Sequence, residues 1–345
     1  MTTIYLIRHA EAEGNLYRIA QGQHDSNLTD RGWRQVQALE RRFAGVSIDA
    51  VYSSDLYRTR ATASALYKPR GLTPILRQDL REICVGDWEG RTWGDILRRT
   101  PQAMEDFGKR MDRWSIPGAE TPAQVLKRIQ AAVEDIAAQN PGKTLAVFSH
   151  GYAIRLLLAS LQGISLAETG EKSPTGDNTA VSLLEWDGAA LRVIWQNDNS
   201  HLKTPEFLAG EKAVRRAYAL EPGLWFRPLE GEALPLGQEP ASGGGLTLTG
   251  YLGEEAVGLL RMEPETGRII WLCIRPDCQR RGFGTQFLGQ AVQYTRAQGG
   301  AELSALLPPD SPARPFFLDC GFTPANGGPE GRELLLKRIG FDPDI

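Results

Sequence analysis

Over roughly the first two hundred positions, short apolar runs alternate with longer stretches in which apolar residues return every three or four positions. Ile4, Tyr5, Leu6 and Ile7 form the first run, which stops at Arg8 and His9. After Thr29-Asp30-Arg31-Gly32, the residues Trp33, Val36, Leu39 and Phe43 recur at helical spacing and predict a helix with one face turned inward. The period then changes. Ala50, Val51 and Tyr52 predict a short buried strand ending in Ser53-Ser54-Asp55, residues 56–63 a helix, and residues 73–76 another strand. Two helical segments follow, the second opening at Thr121-Pro122-Ala123-Gln124. Threonine there is a cap, proline suits the first helical position and glutamine completes a capping box. Its apolar positions Val125, Ile129, Val133 and Ile136 lead to Pro141 and Gly142. Residues 144–148 predict a buried strand ending in Ser149-His150-Gly151, and a further helix begins at Tyr152. Strands alternating with helices in this way predict an α/β unit, a doubly wound and mostly parallel sheet with helices on both faces.

Past this region the pattern differs. A charged helical segment is predicted over 205–220, closed by Pro222 and Gly223, as a connector able to dock on either side. Strands are predicted over 225–229, 246–252, 256–262 and 269–274. A Pro- and Gly-rich loop reaching Gly243-Gly244-Gly245 separates the first two, and Gly253-Glu254 and Glu265-Thr266-Gly267 mark the later turns. This is an antiparallel meander. A helix through Phe287, Leu288, Ala291 and Val292 follows it, giving an α+β unit with a mixed, mostly antiparallel sheet. The expected organisation is residues 1–203 as one domain, 204–222 as connector and 223–345 as a second domain.

A length of 345 residues agrees with two compact units. The net charge of −3 offers no electrostatic footprint for nucleic acid or an anionic membrane, so any basic site must be local. Four cysteines, Cys84, Cys273, Cys278 and Cys320, match no zinc spacing and read as reduced thiols of a cytoplasmic protein. The N-terminal apolar run meets Arg8 too early for a signal peptide, and no apolar segment is long enough to span a bilayer.

Three features carry chemistry. Arg8 and His9 fall where a strand breaks into a polar loop, the carboxyl edge at which open α/β sheets bind ligands. Arg58 and Arg60 occupy the first turn of a predicted helix, where a cation opposes the helix dipole unless an anion is also bound. Glu82 precedes a loop of glycine and tryptophan in which Glu89 reads as a structural carboxylate. Leu6-Ile7-Arg8-His9, Ser53-Ser54-Asp55-Leu56-Tyr57-Arg58-Thr59, residues 82–90, Ser149-His150-Gly151, Asn178-Thr179-Ala180-Val181 and His201-Leu202 together resemble the histidine phosphatase superfamily, its phosphoglycerate-mutase-like branch. Ala10 and Arg60 depart from the commonest residues of that pattern.

The resemblance implies phosphoryl transfer without a cofactor or metal. His9 would be the nucleophile, with Arg8, Arg58 and His150 as donors to the phosphoryl oxygens and Glu82 as acid and then base. Asn15, Gln21 and Gly22 would bind substrate in the loop. His24 is expected near the substrate mouth and His201 as a packing residue of the last strand. The short interval between Glu82 and His150 favours a phosphatase over a mutase, which needs longer cover against water. A phosphoglycerate mutase or an α-ribazole phosphatase is the alternative, and a small phosphomonoester is the expected partner.

In the second unit, Gln279-Arg280-Arg281-Gly282-Phe283-Gly284 lies between a strand and a helix, a place where backbone N–H groups can converge on one anion. Residues from about 224 to 339 resemble a GNAT-type acetyltransferase. The resemblance implies acetyl-CoA as cofactor, a small amine as acceptor, and cofactor contacts from Cys273, Ile274, Gln279, Arg280, Arg281, Gly282, Phe283, Gly284 and Thr285. Two departures point to a reduced domain, with a non-catalytic acyl-CoA-binding module as alternative. The usual helical pair has no room between Leu229 and Leu246, and Phe317 stands where a tyrosine commonly serves as acid.

Overall fold

The computed structural model describes residues 1–211, 223–229, 244–329 and 331–345. In the first unit, β1 (Thr2–Arg8) leads through α1 (Glu13–Tyr17) and α2 (Asp30–Arg42) to β2 (Ala50–Ser54), α3 (Tyr57–Tyr67) and β3 (Ile75–Arg77). Helices α4 (Trp93–Arg99), α5 (Pro101–Lys109) and α6 (Pro122–Ala138) precede β4 (Thr144–Ser149) and α7 (Gly151–Leu161). Then come α8 (Leu166–Lys172), β5 (Val181–Trp186), β6 (Leu191–Asp198) and α9 (Pro205–Ala209). The sheet order is β3-β2-β4-β1-β5-β6, with β1, β2, β3 and β4 parallel and β5 and β6 antiparallel.

Both faces of this sheet are covered, which explains why β1 and β4 read as unbroken apolar runs. Ile4, Leu6, Leu145 and Val147 face α6 and α7, whereas Ile7, Ala146 and Phe148 face α2 and α3. Helix α6 begins as its sequence predicts, with the Thr121 Oγ1 accepting from Gln124 N and the Gln124 side chain accepting from Thr121 N. The strand predicted over 73–76 falls at Ile75–Arg77, because Thr73 and Pro74 are loop.

The second unit contains β7 (Trp225–Pro228), β8 (Leu246–Leu252), β9 (Glu255–Glu263), β10 (Arg268–Ile274), α10 (Phe283–Ala297), β11 (Glu302–Leu307), α11 (Arg314–Asp319), β12 (Thr323–Ala325) and β13 (Glu333–Arg338). Its sheet order is β12-β13-β11-β10-β9-β8-β7. The strands from β7 to β10 form the antiparallel meander. Strand β11 joins β10 in parallel only at Arg268↔Ser304 and Ile269↔Ala305, so the two strands fork from Trp271 onward.

The connector's first part, α9 and Glu211, packs on α2, where Arg31 and Arg34 both pair with Glu211. The rest of the predicted connector helix, and the interval in which the helical pair has no room, lie outside the described residues apart from their edges. The two units meet over α1 and α10. Tyr17 and Ile19 of the first unit belong to the core of the second, and Gly289 is needed there because a Cβ would stand 2.5 Å from the Tyr17 Cβ. The buried Glu13 carboxylate accepts from Arg296 Nη1 at 2.6 Å and Nη2 at 3.1 Å.

Candidate functional site

Strand ends and helix starts deliver the charged groups of the first unit to one place. β1 ends on Arg8 and passes to His9, β4 ends before His150, and α3 starts just before Arg58. His9 is buried, and its Nδ1–H donates to Ala10 O at 2.7 Å, which leaves Nε2 with its lone pair. Burial, then the Arg58 and Arg8 charges, push the His9 pKa well below the usual imidazole range, so the ring is neutral near pH 7. The His150 ring lies 5.3 Å from the His9 ring, centroid to centroid. The His150 Nε2 pairs with Ser54 Oγ at 2.8 Å, and Ser54 Oγ also accepts from Leu56 N.

The arginines are held from behind. Arg58 donates to Gly22 O at 2.6 Å and His24 O at 3.0 Å, and Arg8 donates to Gly176 O at 2.5 Å. Arg8 Nε, Arg58 Nε and His150 Nδ1 are buried and find no acceptor among the described residues. An unsatisfied buried donor costs about 1–3 kcal/mol, and more when charged. Two unsatisfied guanidinium N–H groups and an unpartnered ring nitrogen of His150 thus lie near the neutral His9 imidazole.

Glu82 reaches this site from the other side. Its carboxylate accepts from Tyr152 N and Ala153 N, each at 3.0 Å, at the start of α7, and from Ile83 N at 3.1 Å. The segment carrying it is braced by Arg128, which donates to the carbonyls of Asp79, Arg81 and Glu82 and pairs with Glu120. Glu89 accepts from the N–H groups of Gln23, His24 and Val85, so it ties two loops together. Arg128 and Glu120 escape sequence reasoning because both look like ordinary charges at or near an amphipathic helix. Ser54 was visible as a strand-end serine, but its bond to His150 spans 96 positions.

In the second unit, the turn before α10 holds Arg280 at φ +62° and Gly282 at φ +83°. This bends the backbone so that the first turn of α10, whose N–H groups have no acceptor within the helix, faces a cavity of about 1000 Å³. Gly284 admits the Phe316 ring, which a Cβ would meet at 2.9 Å. Leu272 and Ile274 of β10, past the point where it parts from β11, line the cavity, which also reaches residues of the first unit.

The family model of the histidine phosphatase superfamily, branch 1, matches residues 4–199. The chain belongs to the histidine phosphatase superfamily. The model of the acetyltransferase (GNAT) family matches residues 213–322, so a GNAT domain shares the chain with the histidine phosphatase domain. Phosphoserine phosphatase 1 of Hydrogenobacter thermophilus is 27% identical over 202 residues, 59% of this chain and 95% of that protein. A probable phosphoglycerate mutase of Yersinia pestis is 32% identical over 210 residues, with 59% and 97% covered. Among solved structures, Bacillus stearothermophilus YhfR is 32% identical with a TM-score of 0.56, covering 59% of this chain and all of that one.

Within the histidine phosphatase domain, Arg8, His9, Arg58, Glu82 and His150 converge. The three residues expected to bind substrate are tied into the protein nearby. Asn15 is exposed and its Oδ1 accepts from Ala12 N, Gln21 donates to Ser26 Oγ, and Gly22 offers its carbonyl to Arg58. His24 is an exposed loop residue. His201 is not part of a strand. It lies in a short turn after β6, buried, with Nε2–H donating to Thr179 Oγ1 and Nδ1 accepting from Arg42. In the GNAT domain, Ile274, Gln279, Arg280, Gly282, Phe283, Gly284 and Thr285 line the cavity, but Cys273 and Arg281 do not. Cys273 falls between Leu272 and Ile274 on a strand whose side chains alternate, and Arg281 covers the Phe283 ring. Phe317 is buried in the core against Phe322.

Proposed function

We propose that the histidine phosphatase domain hydrolyses a small phosphomonoester through a phosphohistidine, and that the GNAT domain uses acetyl-CoA to acetylate a small amine. The observation supporting the first activity is the two unsatisfied buried guanidinium N–H groups of Arg8 and Arg58, with the unpartnered Nδ1 of His150, around the free Nε2 of His9. Nε2 attacks phosphorus, the bond to the ester oxygen breaks, and Glu82 supplies that oxygen's proton. Arg8, Arg58 and His150 donate to the three non-bridging oxygens, where charge is greatest in the transition state. Water then attacks phosphorus, Glu82 takes its proton, and the phosphorus–nitrogen bond breaks. Water rather than a second hydroxyl is the favoured acceptor, because the interval from Glu82 to His150 is short.

Phosphoserine and 3-phosphoglycerate are the first substrates to test, given the names of the relatives above. Wild type is expected to release inorganic phosphate and to carry acid-labile phosphate during turnover. His9→Ala is expected to be slower by at least about a thousandfold and to carry none. Normal turnover in His9→Ala rules the phosphohistidine out, and 2-phosphoglycerate formed without free phosphate reassigns the domain as a mutase.

The residues of the GNAT domain fit acetyl-CoA, given the forked strands and the positive-φ turn. Gln279, Arg280 and the first turn of α10 would hold its diphosphate, with Leu272 and Ile274 along the fork. When bound, the cofactor supplies an acyl group activated as a thioester. A second reading, binding without transfer, is favoured by Phe317, which has no proton to give and is packed in the core. Calorimetry with acetyl-CoA, followed by thiol release across an amine panel, separates the two: binding with release supports the transferase, binding alone supports the module, and no binding removes both.

A further inference from the structure

The cavity beside α10 has walls of two origins. One wall is the GNAT domain's own turn and fork. The other belongs to the phosphatase domain, with Asp30 and Trp33 at the start of α2 and Tyr57 at the start of α3. The volume is at the upper end for a small-molecule site, more than an acyl arm alone requires.

Helix α10 fixes which end of a ligand each wall receives. Its inner stripe, Phe287, Leu288, Ala291 and Val292, is buried in the core of the GNAT domain. Its outer stripe meets the phosphatase domain: Gly289 against Tyr17, Gln293 donating to Gly90 O at 2.7 Å, and Arg296 on Glu13. The phosphatase wall therefore stands on the side of α10 away from the sheet, whereas the fork lies within the sheet. A linear ligand whose diphosphate sits at the start of α10 has one arm in the fork and its other end at the phosphatase wall.

The chemistry of that wall suits a nucleotide. Trp33 is half-buried and offers a ring for a base to stack on, and the exposed Asp30 carboxylate can accept from an exocyclic amine. Lys337, which comes close to Asp30 beside Gly321, and Arg338 also line the cavity and complement a further phosphate. We propose that the two domains share one cofactor site, in which Trp33 and Asp30 of the phosphatase domain hold the nucleotide end of an acyl-CoA carried by the GNAT domain. This rests on the acyl-CoA reading above. It makes the fusion of the domains functional, since the cofactor site is incomplete without the phosphatase domain.

The test is calorimetry of the full chain with coenzyme A and with 4′-phosphopantetheine, which keeps the arm and a phosphate but lacks the nucleotide. Wild type is expected to prefer coenzyme A by at least about tenfold. Trp33→Ala is expected to weaken coenzyme A by about tenfold and Asp30→Ala by about threefold, with 4′-phosphopantetheine unchanged in both. Phosphatase turnover reports that each variant is folded, and if Trp33→Ala loses it, the exposed Asp30→Ala decides alone. A wild-type preference that survives the substitutions overturns the shared site while leaving the acyl-CoA reading intact. Failure of wild type to bind either compound overturns that reading, and the shared site with it.

Discussion

Around His9 the groups proposed to meet an anion are side chains from β1, α3 and the residue after β4, whereas beside α10 they are chiefly main-chain amides of one continuous turn. The first site depends on functional groups, several of them held by partners far away in sequence. Arg58 alone is fixed by two carbonyls from another loop. The second depends on shape: two positive φ values and a fork in the sheet. A side-chain site should therefore fail when a group changes chemistry at constant charge, which a backbone site would not feel.

Arg58→Lys is the strongest way to break that contrast. Lysine keeps the charge but cannot donate to Gly22 O, His24 O and a phosphoryl oxygen from one plane. Turnover is expected to fall by at least about a hundredfold, with coenzyme A binding unchanged. Steady-state kinetics checks this, and a loss of only a few-fold means that charge without geometry suffices.

Gly151→Ala tests whether the side-chain site also has a backbone requirement. A Cβ there would stand 3.0 Å from Arg8 Nε and 3.1 Å from its Cζ. Arg8 has little freedom to yield, because Nη1 is held at 2.5 Å by Gly176 O. A displaced guanidinium is expected to lower kcat by about tenfold, while thermal unfolding shifts little. Unchanged kcat shows that Arg8 has more room than its contacts suggest.

The same contrast explains what the sequence discloses. Arg8, His9 and His150 are legible because a parallel sheet presents its ligands at its carboxyl edge, and each interrupts an apolar run. Arg58 is legible because two arginines at a helix start oppose the dipole. The placement of Glu82 is not, since it is set by amide groups of α7 some seventy positions later. The fork is hidden too: β10 reads as an ordinary strand, and only its short pairing with β11 shows that the two part. Glu13 reads as a loop charge, yet the contact between the domains buries it against Arg296. Cys273 falls between two cavity-lining residues of β10, Leu272 and Ile274, and which of the two faces meets the cavity is set by the sheet rather than by the strand alone.

The smallest effect concerns the support of the first site. Thr179 adopts φ +62°, a strained conformation for a β-branched residue, next to Asn178, which donates to His9 O at 3.0 Å. His201 holds Thr179 in place through Nε2–H, and its Nδ1 must stay unprotonated to accept from Arg42. Burial, then the Arg42 charge, push the His201 pKa down to about 4. Because the unfolded chain binds a proton near pH 6.5 and the folded chain does not, stability from this group is complete above that pH and is lost as pH falls toward 4. Between pH 7.5 and pH 5 the loss is expected to be about 2 kcal/mol, at 1.36 kcal/mol per pH unit below 6.5. His9 and His150, also held neutral, add to the wild-type slope in the same direction. His201→Gln keeps a donor for Thr179 but does not titrate. The stability gap between wild type and His201→Gln, measured by denaturant unfolding, should therefore narrow as pH falls. A gap that stays constant from pH 7.5 to pH 5 shows that His201 protonation is not coupled to the fold.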